Sequence, residues 1–232
     1  KLIGTFLPRF GVKYSFVDAT DIQQIEAAIR PNTKVLMLES PNSLTYEIQD
    51  LAACAALAKK HQLTTIIDNS YASPYYQNPI DFGIDIVVHS GSKYLSGHSD
   101  IIFGAICSTK AMIGKIISAE YMTLGPVLSP NDAWLALRGL RTLRTRLEQS
   151  SLNAQKVISW LKQQEEVEYV LYPLDPNFDQ YELASQQMRG AGGLFSVNFK
   201  ERPIEKMEAF SNALADAFLM AVSWGGYESL QI

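Results

Sequence analysis

Ser90, Ser92 and Lys93 stand where an apolar, β-branched run (Ile84 to Val88) gives way to His89-Ser90-Gly91-Ser92-Lys93. The run reads as a buried strand, and in open α/β sheets ligands sit in the crevice beyond the carboxyl ends of strands. Two hydroxyls and an amine close together suit a phosphate and a carbonyl. By itself Ser-Gly-Ser-Lys also fits a surface turn with a solvated lysine. A second β-branched run, Thr64-Thr65-Ile66-Ile67, ends in Asp68-Asn69 upstream. A carboxylate there would keep a pyridine nitrogen protonated and make the ring an electron sink. Such an acid, paired with a Schiff-base lysine, is the set of groups that pyridoxal phosphate needs.

The elements that must position these residues alternate. Val12 to Val17 reads as a strand, and Thr20 or Asp21 caps a helix over Ile22 to Ile29 that Pro31 closes. Val35 to Leu38 is a buried strand ending at Glu39-Ser40-Pro41-Asn42-Ser43. A helix follows from about Ile48 to His61, with Leu51, Cys54, Ala55 and Ala58 on one face. The strands ending at Asp68 and His89 come next, then one over Ile101 to Cys107 and a helix over Lys110 to Met122. This alternation predicts an α/β fold of three layers, a largely parallel sheet with helices on both faces. Ser129-Pro130-Asn131-Asp132 opens a long helix: serine N-cap, proline at the first position, an acid soon after. Its pattern runs through Trp134, Leu137, Leu140, Leu143 and Leu147 to about Lys162. The long helix, from about residue 130, divides a large domain (1–140) from a smaller C-terminal α/β domain (141–232). In the second, Val167 to Tyr172, Leu194 to Phe199 and Ala221 to Trp224 read as strands and Ile204 to Phe218 as a helix.

With these runs in view the chain resembles the cysteine and methionine metabolism enzymes that use pyridoxal phosphate. The likeness covers nearly the whole chain: Glu39-Ser40-Pro41, Asp68-Asn69, Lys93-Tyr94-Leu95-Ser96-Gly97-His98-Ser99-Asp100, Leu137-Arg138-Gly139-Leu140-Arg141-Thr142-Leu143 and Ser223-Trp224-Gly225-Gly226-Tyr227-Glu228-Ser229-Leu230. The last motif is most similar to bacterial cystathionine β-lyases. The resemblance implies a fold type I transferase-like architecture and a cofactor, pyridoxal 5'-phosphate, carried on Lys93. It implies Asp68 as partner of the pyridine nitrogen, Ser90 and Ser92 as phosphate ligands, and Ser223 and Trp224 beside the substrate. The plainer alternatives are turn hydroxyls bonding their own backbone for the serines and a small-core tryptophan for Trp224. Much of the family has asparagine at the position of Ser43, whereas here Asn42 lies one place earlier. The implied reaction is carbon–sulfur β-elimination from L-cystathionine to homocysteine, pyruvate and ammonia. γ-Synthase, γ-lyase or sulfhydrylase chemistry shares the scaffold, and a scaffold-only role is the rival of another class. The resemblance also implies a homo-oligomer, dimer or tetramer, with shared active sites.

Composition agrees with such an enzyme. The 232 residues carry a net charge of −4, 47% hydrophobic and 19% charged residues, ordinary for a globular protein and without the basic cluster that nucleic acid requires. No apolar run reaches the roughly 18 residues of a membrane span and no signal-peptide pattern is visible; two cysteines read as free thiols fit a reducing cytoplasm. Cys54 and Cys107 lie in apolar patterns and are expected to be buried free thiols. His61, His89 and His98 have no metal spacing and read as structural, so no metal is expected. Arg138, Arg141, Arg144 and Arg146 read as a solvated or subunit-facing stretch. Lys1-Leu2-Ile3 and Gln231-Ile232 do not look like natural termini. The chain reads as the middle of a longer enzyme, and these residues alone are expected to be inactive.

Overall fold

The computed structural model describes residues 2–201 and 203–232. The elements run α1 (Ile22–Ala28), β1 (Val35–Glu39), α2 (Leu51–Lys60), β2 (Thr64–Asp68), α3 (Ser73–Tyr76), β3 (Ile86–Ser90), β4 (Gly104–Ser108), α4 (Lys110–Ile116), α5 (Met122–Leu124), α6 (Pro130–Leu161), β5 (Val167–Leu171), α7 (Tyr181–Gln187), β6 (Ser196–Phe199), α8 (Ile204–Ala213), β7 (Leu219–Met220) and β8 (Leu230–Gln231). The main sheet is ordered β1-β2-β3-β4; the first three strands are parallel and β4 is antiparallel to β3. The fold is α/β.

Short polar residues start the helices as their chemistry dictates. Asp21 and Asp50 accept backbone N–H groups from Gln23 and Ala53, and the Ser129 hydroxyl accepts the N–H of Asp132 at 3.1 Å. These caps satisfy donors that a helix start cannot pair internally. α1 and α2 bury Ile25, Leu51, Cys54 and Leu57 against Leu38, Ile67 and Val87, one face of the sheet. A second apolar cluster joins Tyr71, Tyr94, Leu143, Leu147, Ile158, Val170, Tyr172 and Trp224, so one core runs across residue 140.

Several expectations are corrected. Val12 to Val17 pairs with no strand among the described residues; its alternating side chains are mostly exposed, with Phe16 at 78%. Alternation marks a strand only where a partner supplies the ladder. Ala221 to Trp224 is likewise not a strand, because Ser223 (φ 122°) and Gly225 (φ 86°) turn the backbone out of the extended region. Among the described residues β4 is an edge strand, like β1, and the cluster under α1 and α2 takes residues from β1, β2 and β3 but none from β4; Cys107 is exposed while Cys54 is buried. Both thiols are free.

The face that α6 buries also differs from the expected stripe. Trp134, Leu137 and Leu140 are exposed, and the inward residues are Ala136, Gly139, Leu143, Leu147, Ser151, Ala154, Ile158 and Leu161. Their spacing of three and four is helical, but the contact at Gly139 is small because backbone lies against it. A Cβ there would stand 2.4 Å from the Ser96 carbonyl oxygen. Gly139→Ala should therefore lower stability by about 1–3 kcal/mol through overpacking, although helix propensity alone favours alanine by about 1 kcal/mol. A urea midpoint that rises would show that propensity wins.

Candidate active site

Parallel pairing sets the carboxyl ends of β1, β2 and β3 along one sheet edge, with Glu39 in register with Asp68 and Asp68 with Val88. Asp68 is half-buried. Its Oδ1 accepts both the N–H and the hydroxyl of Ser70, at 2.9 and 2.5 Å, while Oδ2 has no partner among the described residues. The Ser70 hydroxyl in turn accepts the Ser90 N–H at 2.6 Å. One buried hydroxyl thus ties the ends of β2 and β3 and orients the carboxylate. An Asp two residues before a Ser at a strand end is the local signal for such a turn, and it is what identifies Ser70 as the residue that orients Asp68.

Lys93 follows in a tight coil. Its Nζ lies 3.8 Å from the centroid of the Trp224 ring, and that ring is 5.3 Å from Tyr94 and 6.1 Å from Tyr71. Trp224 is both a core residue, 9% exposed, and the floor beneath the lysine. Burial pulls the Lys93 amine below its ordinary 10.5; the carboxylates of Asp68 and Glu39 oppose this. The ring face also favours the ammonium. The balance is an amine easier to deprotonate than a solvated lysine.

The remaining candidates lie close by. The Ser90 hydroxyl bonds to none of the described residues, and Ser92 Oγ accepts the Phe103 N–H at 3.0 Å and donates to the Phe103 carbonyl at 3.5 Å. Ser92 could redirect that long donated bond to a ligand and keep its acceptor role. Ser223 is exposed on the turn that lowers Trp224 onto Lys93. Gly225 makes that approach possible, since a Cβ would stand 2.9 Å from Tyr94 N and 3.0 Å from Lys93 Cβ. Asn42 is not free for a ligand: its amide donates to Glu47 and accepts from Thr45 and from the Glu47 N–H. Ser43 donates its N–H and hydroxyl to Glu39. The open Asp68 oxygen, the free Ser90 hydroxyl and the half-desolvated amine fit a ring nitrogen, a phosphate and an aldehyde respectively.

Arg146 is the other correction. It is half-buried and turned onto the Lys93 coil rather than solvated. His89, on the strand behind the site, is buried 95% and its Nδ1 has no partner among the described residues. Burial lowers its pKa below 6.5, with the Asp68 charge opposing. The unfolded chain therefore binds a proton that the folded one refuses, so stability falls as pH drops below about 6.5. His89→Gln should flatten that decline in urea midpoints measured from pH 7 to pH 5; an unaltered slope would assign the loss to other groups.

A family model described as Cys/Met metabolism PLP-dependent enzyme matches residues 1–232. The chain is 42% identical over 222 residues to an L-methionine gamma-lyase of Pseudomonas putida, covering 95% of this chain and 55% of that protein. It is 35% identical over 232 residues to a cystathionine beta-lyase of Lactococcus lactis subsp. cremoris, covering 99% and 60%. The crystal structure of cystathionine gamma-lyase from Lactobacillus plantarum complexed with L-serine superposes with a TM-score of 0.92 at 40% identity, over 99% of this chain and 59% of that one. The chain thus spans little more than half the length of these relatives.

Proposed function

The chain belongs to the cysteine and methionine metabolism PLP-dependent enzyme family, and from that premise we propose that it acts as a carbon–sulfur lyase on a sulfur-containing L-amino acid, by β-elimination from L-cystathionine. The observation that carries the reading is the convergence of a half-buried Lys93, its Trp224 floor and an Asp68 with one open oxygen. The cofactor, when bound, supplies an electron sink for charge developing at the substrate's α-carbon.

The chain's own side chains take definite parts. Asp68 Oδ2 would accept from the ring nitrogen while Ser70 holds Oδ1 in place. Ser90 and Ser92 would donate to the phosphate, and Ser223 would line the substrate's side of Trp224. Lys93 Nζ, half-desolvated, takes the α-proton as a neutral amine. Once protonated it sits over the negative face of Trp224, poised to pass that proton to the departing sulfur. Cystathionine and one water become homocysteine, pyruvate and ammonia.

A second reading, γ-elimination, is favoured by the 42% identity with an L-methionine gamma-lyase. The two separate on products from L-cystathionine with the full-length protein. Homocysteine and pyruvate support β-elimination, cysteine and 2-oxobutanoate support γ-elimination, and no oxo acid would sink the lyase reading. A cytoplasmic location and a homo-oligomer with shared sites remain part of the proposal; the exposed Trp134 and Leu137 of α6 offer an apolar surface for subunit contact.

A further inference from the structure

The coil that carries Lys93 is one helical turn with an open end. The Lys93 N–H donates to the Ser90 carbonyl at 3.2 Å, Ser96 N–H to Gly91 at 2.9 Å and Gly97 N–H to Lys93 at 2.8 Å. Gly97, at φ 69°, then ends the turn. As at any helical end, the last carbonyls, here those of Tyr94 and Leu95, lack donors from their own turn.

Arg146 reaches across from α6 to fill them. Nη1 donates to the Tyr94 carbonyl at 2.9 Å, and Nη2 donates to Leu95 at 3.5 Å and to Gly139 at 2.8 Å. Nε donates to Thr142 Oγ1 at 3.0 Å. All four acceptors are neutral, and no carboxylate among the described residues pairs with this guanidinium. A cation at the carbonyl end of a turn is favourable. Holding it half-buried without a counter-ion has a desolvation cost, which the bonds to the lysine coil offset. Glycine clears its path: a Cβ on Gly97 would stand 1.8 Å from Arg146 Nη1.

We propose that Arg146 is a positioning residue for Lys93, capping the carbonyl end of its coil and so holding the amine in its half-buried place above Trp224. The inference rests on the reading of Lys93 as the cofactor's lysine. It explains why the arginine on α6 and the glycine after the lysine belong to one device.

The test uses the full-length protein without cofactor, as wild type, Arg146→Gln and Arg146→Lys. Hydrogen exchange across residues 91–97 should quicken by about tenfold in Arg146→Gln, the fold-change of losing one charge-assisted hydrogen bond, and less in Arg146→Lys. Labelling of Lys93 by acetic anhydride should titrate at higher pH in Arg146→Gln, because a loosened amine gains solvent. Should Arg146→Gln fail to fold, Arg146→Lys and Thr142→Val carry the same comparison. A lower melting midpoint with unaltered exchange and an unaltered Lys93 titration would overturn the proposal and leave Arg146 a stabilising residue only. The underlying reading fails separately: borohydride reduction of the wild type with pyridoxal phosphate would then mark a residue other than Lys93.

Discussion

Lys93→Ala should lower turnover of the sulfur substrate by about 10³-fold or more, the upper scale for removing a positioned acid–base group that also anchors the cofactor. Two rings that pack on Trp224 belong to Tyr71 and Tyr94, whose hydroxyls burial pushes still further above their ordinary value, away from proton transfer at neutral pH. Truncation leaves the core intact, since Trp224 keeps its contacts with Tyr71 and Tyr94, so the melting midpoint should move little. The direct readout is chemical. Borohydride should fix the cofactor to the peptide holding Lys93 in the wild type and to nothing in the variant. Retention of a tenth of the wild-type rate would remove Lys93 from the chemistry.

Asp68→Asn should produce the second-largest loss. The amide keeps the shape of the side chain and can still accept from Ser70, so folding is preserved while the charge is lost. A charge-assisted hydrogen bond contributes about 1.5–3 kcal/mol, which corresponds to roughly ten- to a hundredfold weaker cofactor binding. At saturating cofactor, turnover should still fall about a hundredfold or more, because a neutral amide cannot keep the ring nitrogen protonated. Fluorescence titration with the cofactor and a rate at saturation separate the two effects. Wild-type binding and rate together would mean that Oδ2 faces no ring nitrogen.

Much of the site was legible because it is local. β-Branched runs ending in Asp68 and at Ser90 mark strands whose carboxyl ends collect ligands, and β2 and β3 lie where those runs do. Ser129 and Pro130 announced the start of α6 to the residue. The long-range features were not legible. Alternation along Val12 to Val17 says what a strand could bury, not whether a partner strand exists. The size of Trp134, Leu137 and Leu140 suggested an inward stripe, but α6 turns Gly139 inward because the Lys93 coil demands close approach. Cys107 is exposed although its partner Val87 is buried, because, among the described residues, the cluster that covers Val87 takes none from β4.

By itself, then, the sequence determined the chemistry available: an amine and two hydroxyls after one strand, a carboxylate after another, and the helices between them. Propensity, capping and the two-residue and 3.6-residue periods act over a few neighbours and are written in residue types. The tertiary structure alone decided which groups meet. It laid Trp224 beneath Lys93, left one oxygen of Asp68 open by turning the other to Ser70, and brought Arg146 onto the carbonyls after the lysine. Those contacts join residues up to 131 positions apart, Lys93 to Trp224, and only the packed core sets their distance and direction.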